Sequence, residues 1–528
     1  METLYPIKLP PGLARNGTAY QNKNRWINGN LVRWHEGAIR PIGGWQLALD
    51  NNGQQIQAIG KPRCSLGWRK ADSTAWLGLG TTGPISKLYA LNLSTLSDIT
   101  PAGLVNGAQD GSQVSGGLGW GLGGWGITPW GGGNTATTTI DADSWQLDNF
   151  GEILLACLTG DGKIYESTPT TQATQVTNSP TGCRGVVVTP ERFIFALGAS
   201  SDPRNVAWCA QQARTVWTAT GSNSAGSFPL QTVGRLMAGR RTDRETLLWT
   251  DADLWAAVFI GGNAVYSFQR RGDSCGLLGP NAVTIAEGTA FWMSDNQFFV
   301  YDGAVRSMPC EVSDYVFGDL NKTQKAKIAA VPNVQFGEVT WYYPSASQNG
   351  LENDRYVTLN YRAGFWMTGS LARATGVGAA VFANPQLWDP NGLLYAHESG
   401  QDRAGNVAFL ESGPIELGNG DRVVRLQSLI PDERTQGDVV ASIYATFYPE
   451  SPEVLFGPYQ LSSKTDIRLT ARQIRLRVAE NNIITGLTAD QMVMTADQMT
   501  MTADTGPAGG VDWRVGDFRL GGLVGGIR

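Results

Sequence analysis

Histidine is almost missing from this 528-residue chain: there are two, His35 in VRWHEG and His397 in YAHESG. A zinc site with several imidazoles or a Ser-His-Asp triad would have to be assembled from almost nothing. There is also no P-loop, no HExxH helix and no GxSxG elbow, and the glycine clusters lack the strand-Gly-helix setting of a dinucleotide site. No metal, no cofactor and no enzymatic activity is expected. Charged residues are scarce at 16 %, against a usual ~25 %. Lys plus Arg number 41 and Asp plus Glu 46, a net charge of −5, which argues against gripping nucleic acid by wholesale phosphate neutralisation. The six cysteines, Cys64, Cys157, Cys183, Cys209, Cys275 and Cys310, lie far apart without a CxxC. They read as reduced, mostly buried thiols. No stretch approaches the ~20 apolar residues of a membrane helix, so no membrane segment is expected. The opening METLYPIKLPPGLARNG, with Glu2 and two adjacent prolines, does not read as a signal peptide, which implies synthesis and solubility in a cytoplasm.

What the chain has in quantity is glycine, 66 residues, and aromatics: 18 Trp, 15 Tyr and 17 Phe. Helical periodicity is rare, whereas short β-branched and aromatic runs broken by Gly, Asn, Asp and Pro recur throughout. Six strings pair an aromatic-bearing strand with a polar turn: SKLYAL (86–91), GDGKIYES (160–167), NAVYSF (263–268), NQFFVYDG (296–303), RYVTLNYRAGFW (355–366) and GLLYAHESG (392–400). Their irregular spacing scatters around the ~40–50 residues of a propeller blade. The chain is therefore read as mainly β: a degenerate β-propeller with inserted loops plus a C-terminal β-sandwich-like domain. A pair of β-sandwiches would give similar strings. The expected organisation is an N-terminal strand segment joining the propeller (1–60), the propeller (61–412), and the C-terminal β domain (413–528).

Two insertions stand out. Residues 103–133 are Gly-rich and carry Trp120, Trp125 and Trp130 at intervals of five. They read either as a loop whose indoles pack on the parent domain or as a projecting loop that contacts a partner subunit. Residues 488–504 repeat Thr-Ala-Asp with period seven, which cannot keep one face of a strand, so a loop is expected. The repeat's Asp490, Asp497 and Asp504 lack the Gly-containing spacing of a calcium loop. Before it, DIRLTARQIRLRVA (466–479) alternates Ile467, Leu469 and Ala471, then changes phase near Gln473 to Ile474, Leu476 and Val478. A bulge at Gln473 would keep all six buried and turn Arg468, Arg475 and Arg477 outward, either toward a partner or into solvent. Asp251 and Asp253 in LLWTDADLW offer a carboxylate pair for glycoside chemistry, although acids at strand ends read first as turn formers, as do Asp148 and Glu152.

Several strings taken in order carry more than any one motif. NRWINGNLVRWHEGAIRPIGGW (24–45), WQLDNFGEILLACLTGDGKIYES (145–167), SSDPRNVAWC (200–209), ETLLWTDADLWAAVFIGGNAVYSFQRRGDSCGLLGPNAV (245–283) and AFWMSDNQFFVYDG (290–303) resemble the tail nozzle, or packaged-DNA stabilization, proteins of short-tailed bacteriophages. The resemblance extends more loosely to IRLRVA and WRVGDFRL; the Gly/Trp insertion and the Thr-Ala-Asp repeat match nothing in it. It implies a propeller-containing structural virion protein. Six copies would form a tube below the portal and adaptor rings, in the virion tail, that retains packaged DNA and conducts it during ejection. The implied partners are neighbouring copies in a homo-hexamer, the adaptor protein, a tail fibre or needle protein, and double-stranded DNA in transit without sequence-specific binding. Two alternatives are a fibre-proximal attachment protein of the tail and a carbohydrate-binding or glycosidic propeller.

Overall fold

The computed structural model describes residues 3–92, 94–107, 110–117, 135–262, 264–417, 422–448, 451–481 and 512–524. Trp120, Trp125 and Trp130 and the Thr-Ala-Asp repeat lie outside the described residues. The chain is mainly β and divides into two compact units. One comprises Leu47–Gly364 and Leu371–Ala396, and the other Met1–Gln46, Phe365–Ser370 and His397–Arg528.

The first unit is a β-propeller. Its first blade is the antiparallel sheet Lys61–Arg69, Ala75–Thr82, Lys87–Asn92 and Thr95–Asp98. Four more four-stranded sheets begin at Trp145, Gly185, Leu236 and Val283. The sixth and seventh blades begin at Ala329 and Thr375, so seven blades are present among the described residues. Each blade's first strand is its innermost. Lys61–Arg69 lies against Trp145–Phe150, then Gly185–Val188, then Leu236–Arg241; Val283–Ala286 lies against Ala329–Asn333, then Thr375–Val377, which returns to Lys61–Arg69 and closes the ring. Wholly buried runs such as Gly185–Val188 and Ile194–Leu197 fit this setting, because a sheet packed between two blades has no solvent face.

Tryptophan carries much of the packing between blades. Trp249, Trp292, Trp341 and Trp388 sit on the second strands of blades four to seven and are fully buried. Trp249 and Trp292 meet edge to face at 5.7 Å, a favoured aromatic geometry. Trp145 approaches Gly80 so closely that a Cβ there would lie 2.3 Å from its ring, and its indole N–H donates to the Thr81 carbonyl (2.8 Å). The ring is fastened by residues 47–58: Ala48 N donates to Leu394 O (2.9 Å) and Ala58 N to Gly392 O (2.8 Å).

The second unit is a two-sheet sandwich that draws on both chain ends. In one sheet Thr3–Ile7 pairs with Phe518–Val524, which pairs with Val424–Pro431, which pairs with Thr465–Ala471. In the other the order is Trp26–Asn30, Phe409–Ser412, Gln473–Glu480, Val439–Thr446 and Val454–Gln460. The boundaries therefore differ from those expected. Residues 1–46 belong with the C-terminal domain, because Thr3–Ile7 and Trp26–Asn30 supply an edge strand to each of its sheets, and only the following segment closes the propeller. The phase change near Gln473 is also not a bulge. Thr465–Ala471 and Gln473–Glu480 are separate strands in separate sheets, and the chain crosses between them at Arg472. Ile467, Leu469, Ala471, Ile474, Leu476 and Val478 are all buried because both strands turn one face to the same core.

Candidate functional site

The propeller axis is filled with polar side chains. Arg63, on the first blade's inner strand and 4 % exposed, donates to both oxygens of Glu352 (2.6 and 2.9 Å), to Asp110 (3.1 Å) and to Thr82 (2.9 Å). Lys327, also buried, donates to Glu352 (3.1 Å) and to the Leu351 carbonyl (2.6 Å) and pairs with Asp110 at 2.7 Å. Burial pushes the Glu352 carboxyl up, but the bonds from Arg63 and Lys327 outweigh it and hold the group below the usual carboxylate range. Beside this knot, Asn281 Nδ2 donates to Arg63 O (2.9 Å), Ser144 Oγ (3.0 Å) and Trp145 O (3.4 Å). Gln146 donates to Asn281 Oδ1 (3.1 Å) and accepts from Arg240 Nη1 (3.0 Å). These residues come from blades one, two, four, five and six, which are not all neighbours in the ring. Side chains that join them must cross its centre.

At one end of the axis lies a cavity of about 450 Å³ lined by residues just ahead of five inner strands, among them Asp141, Asp143, Arg184, Arg235 and Lys325. Arg235 is clamped by Asp141 and by Asp251 (3.1 Å). Asp143 accepts from Thr159 Oγ1 (3.1 Å). Arg184 and Lys325 are both half-buried, and neither side chain makes a hydrogen bond or ion pair among the described residues. Burial, and then the like charge of Arg235, pull the Arg184 pKa down, against the carboxylates of Asp141, Asp251 and Asp143, which raise it.

The residues singled out from sequence fall in three settings. Arg475 and Arg477 lie on Gln473–Glu480 and are engaged within the sandwich: Arg475 binds Glu453 through two bonds (2.6 and 2.7 Å) and covers Tyr444, while Arg477 pairs with Glu411 and covers Phe409. Arg468 is on the other sheet, exposed, and without a partner among the described residues. Arg425 and Arg519 share its outer face and are equally exposed. Asp251 and Asp253 flank a turn and do different work. Asp253 is buried and accepts from Thr232 (2.9 Å) and Thr250 (2.5 Å), and Asp251 holds Arg235. Asp148 accepts from Val188 N (2.7 Å), its carboxyl pushed up by burial, and Glu152 accepts from Ala71 N (2.9 Å). His397 is buried and stacks on Trp45 at 5.3 Å; His35 lies beside Glu36 at 3.9 Å. Five of the six cysteines are buried.

The strings read as resembling tail nozzle proteins occupy the sandwich edge strand Trp26–Asn30 and the hairpin that follows it (24–45), blade two (145–167), blade three (200–209), blade four through the start of blade five (245–283), and blade five (290–303). No protein-family model matches the sequence, and no curated protein is similar to it. Among solved structures, the chain is similar to virginiamycin B lyase from Staphylococcus aureus, with 9 % identity over 67 % of this chain and 98 % of that one and a TM-score of 0.39. It is also similar to the Pan2 WD40 domain of Neurospora crassa (8 % identity, 69 % and 96 % covered, TM-score 0.37). A third is an exo-β-1,3-galactanase from Phanerochaete chrysosporium (10 % identity, 91 % and 100 % covered, TM-score 0.28). Likenesses of this degree bear on neither family nor activity.

Proposed function

We propose that the chain is a structural subunit of a short-tailed phage tail, a nozzle of which six copies surround the DNA exit path below the portal and adaptor. The observation that carries this reading is the order of the resembling strings, five of which follow one another between residues 24 and 303. The filled axis bears on how such a subunit would work. With Arg63, Gln146, Arg240 and Asn281 bonded across the centre, DNA has no way through a single propeller, so the conduit is the space between copies. A ring of this kind repeats one heterologous interface by rotation. The mildly acidic charge suits a wall that double-stranded DNA passes without adhering. The reading gives the chain no catalytic role, and its partners are the adaptor, the neighbouring copies and a fibre or needle protein.

The test is a tail reconstruction by cryo-electron microscopy of particles of the phage that encodes the chain. The expected result is a ring of six copies of the chain, the ring coaxial with the portal. Density confined to appendages would favour the attachment alternative, and particles without this chain would overturn the proposal.

A further inference from the structure

We infer that the cavity at the propeller mouth is a binding site for a protonated phosphate group, either inorganic phosphate or the terminal group of a phosphomonoester, held between Arg184 and Lys325. These two cationic side chains are held by no hydrogen bond or ion pair among the described residues, and the carboxylates of Asp141, Asp251 and Asp143 act on Arg184 only through space. Half-buried cations are ordinarily paired, since removing a charge from water is unfavourable unless an opposite charge or hydrogen bonds replace the lost hydration. Elsewhere on this axis that rule is kept: Arg63 and Lys327 share Glu352 and Asp110, and Arg235 has Asp141 and Asp251. Arg184 and Lys325 break it together, and both line the same cavity. An oxyanion between them would accept from a guanidinium fork on one side and an ammonium on the other, the pairing that suits phosphate. The cavity, about 450 Å³, falls within the roughly 300–1,000 Å³ of small-molecule sites.

The carboxylates of the lining decide which oxyanion. Asp141 and Asp143 line the same cavity and repel a fully deprotonated anion. Inorganic phosphate near neutral pH keeps a P–O–H that donates to a carboxylate, and a phosphomonoester keeps one on the monoanion present at and below its second pKa of about 6, whereas sulfate has no proton to offer and a phosphodiester of nucleic acid has none either. The site should therefore separate phosphate from sulfate, which a merely basic surface would not do.

Calorimetric titration of the full chain at low ionic strength and a pH of about 6, where both phosphates carry a P–O–H, tests this with sodium phosphate, sodium sulfate and adenosine monophosphate. The expected result is one saturable phosphate site with sulfate at least about tenfold weaker. Arg184→Met should weaken phosphate about tenfold or more, the loss expected for one charge-assisted contact. Asp143→Asn should bring phosphate and sulfate together. Tighter binding of the nucleotide than of phosphate would identify a monoester as the ligand, and the reverse would identify the free ion; both support the site. Because burial outweighs the carboxylates that act on Arg184 and no hydrogen bond or ion pair holds its side chain among the described residues, Arg184→Met should leave the unliganded melting temperature unchanged or raise it while abolishing the phosphate-induced rise. Equal affinity for phosphate and sulfate in the wild type, or phosphate binding unchanged by Arg184→Met, would overturn the inference.

Discussion

Arginine is used in opposite ways in the propeller and in the sandwich. On the propeller axis Arg63 is buried and every neighbour answers it, with two carboxylates and a threonine hydroxyl within 3.1 Å. On one outer face of the sandwich Arg425, Arg468 and Arg519 stand in solvent with no partner among the described residues. The sandwich's other sheet lies between these extremes, its Arg475 and Arg477 partly exposed but each paired across the sheet and laid over an aromatic ring. A closed arrangement fixes the fold and is sensitive to removal of any member. An open one contributes little to the fold and leaves its charge free for another molecule.

The contrast can be broken most forcefully at Arg63. Arg63→Met would strand Glu352 in the interior with Lys327 alone, and removing one partner of a buried ion pair costs about 3–5 kcal/mol. Guanidinium unfolding should show that loss; a change below about 1 kcal/mol would mean the knot is not closed. Asn281→Leu should cost about 1–3 kcal/mol by leaving the carbonyls of Arg63 and Trp145 without their donor. The same knot predicts a pH dependence. The folded pKa of Glu352 is depressed, so its contribution is present above the unfolded value of about 4.3 and disappears as pH falls through the lower folded value. Stability measured from pH 6 downward should fall in that window, and Glu352→Gln should flatten the curve there. A double-mutant cycle on Arg475 and Glu453 should give only about 0.2–1 kcal/mol, since both side chains remain partly in water. At the small end, Arg468→Met should change stability by less than about 0.5 kcal/mol. A large effect there would place Arg468 among the closed charges and remove the distinction.

The blades were legible to an unequal degree. Of the six aromatic strings read as strand and turn, five contain the third strand of their blades, including Lys87–Asn92, Ile164–Ser167 and Leu394–His397. These third strands are short, mostly buried and followed by a polar turn, so their pattern survives in sequence. NAVYSF instead lies on a fourth strand, Val265–Gly272. The axial knot was not legible at all. Arg63 and Glu352 are 289 residues apart, and an arginine or glutamate that faces an axis looks in sequence like one that faces water. The sandwich was half legible. The alternation of Ile467 to Val478 disclosed both strands, but a chain that changes sheets and a chain that bulges within one sheet produce the same change of phase. The strand partners of residues 3–7 and 26–30 lie several hundred residues away, and no local pattern encodes that distance.

The pairing of Thr3–Ile7 with Phe518–Val524 also sets an order of events during synthesis. The propeller can close once Leu394 has left the ribosome, because residues 47–58 that fasten it were made long before. The sandwich must wait. Phe518–Val524 lies between Thr3–Ile7 and Val424–Pro431, so a nascent chain stopped just short of Phe518 holds a finished propeller beside a sheet with its middle missing and its first strand unpaired. Completion of the sheet is therefore a proofreading step: only chains read through to residue 524 can lose the exposed edges that quality-control machinery recognises.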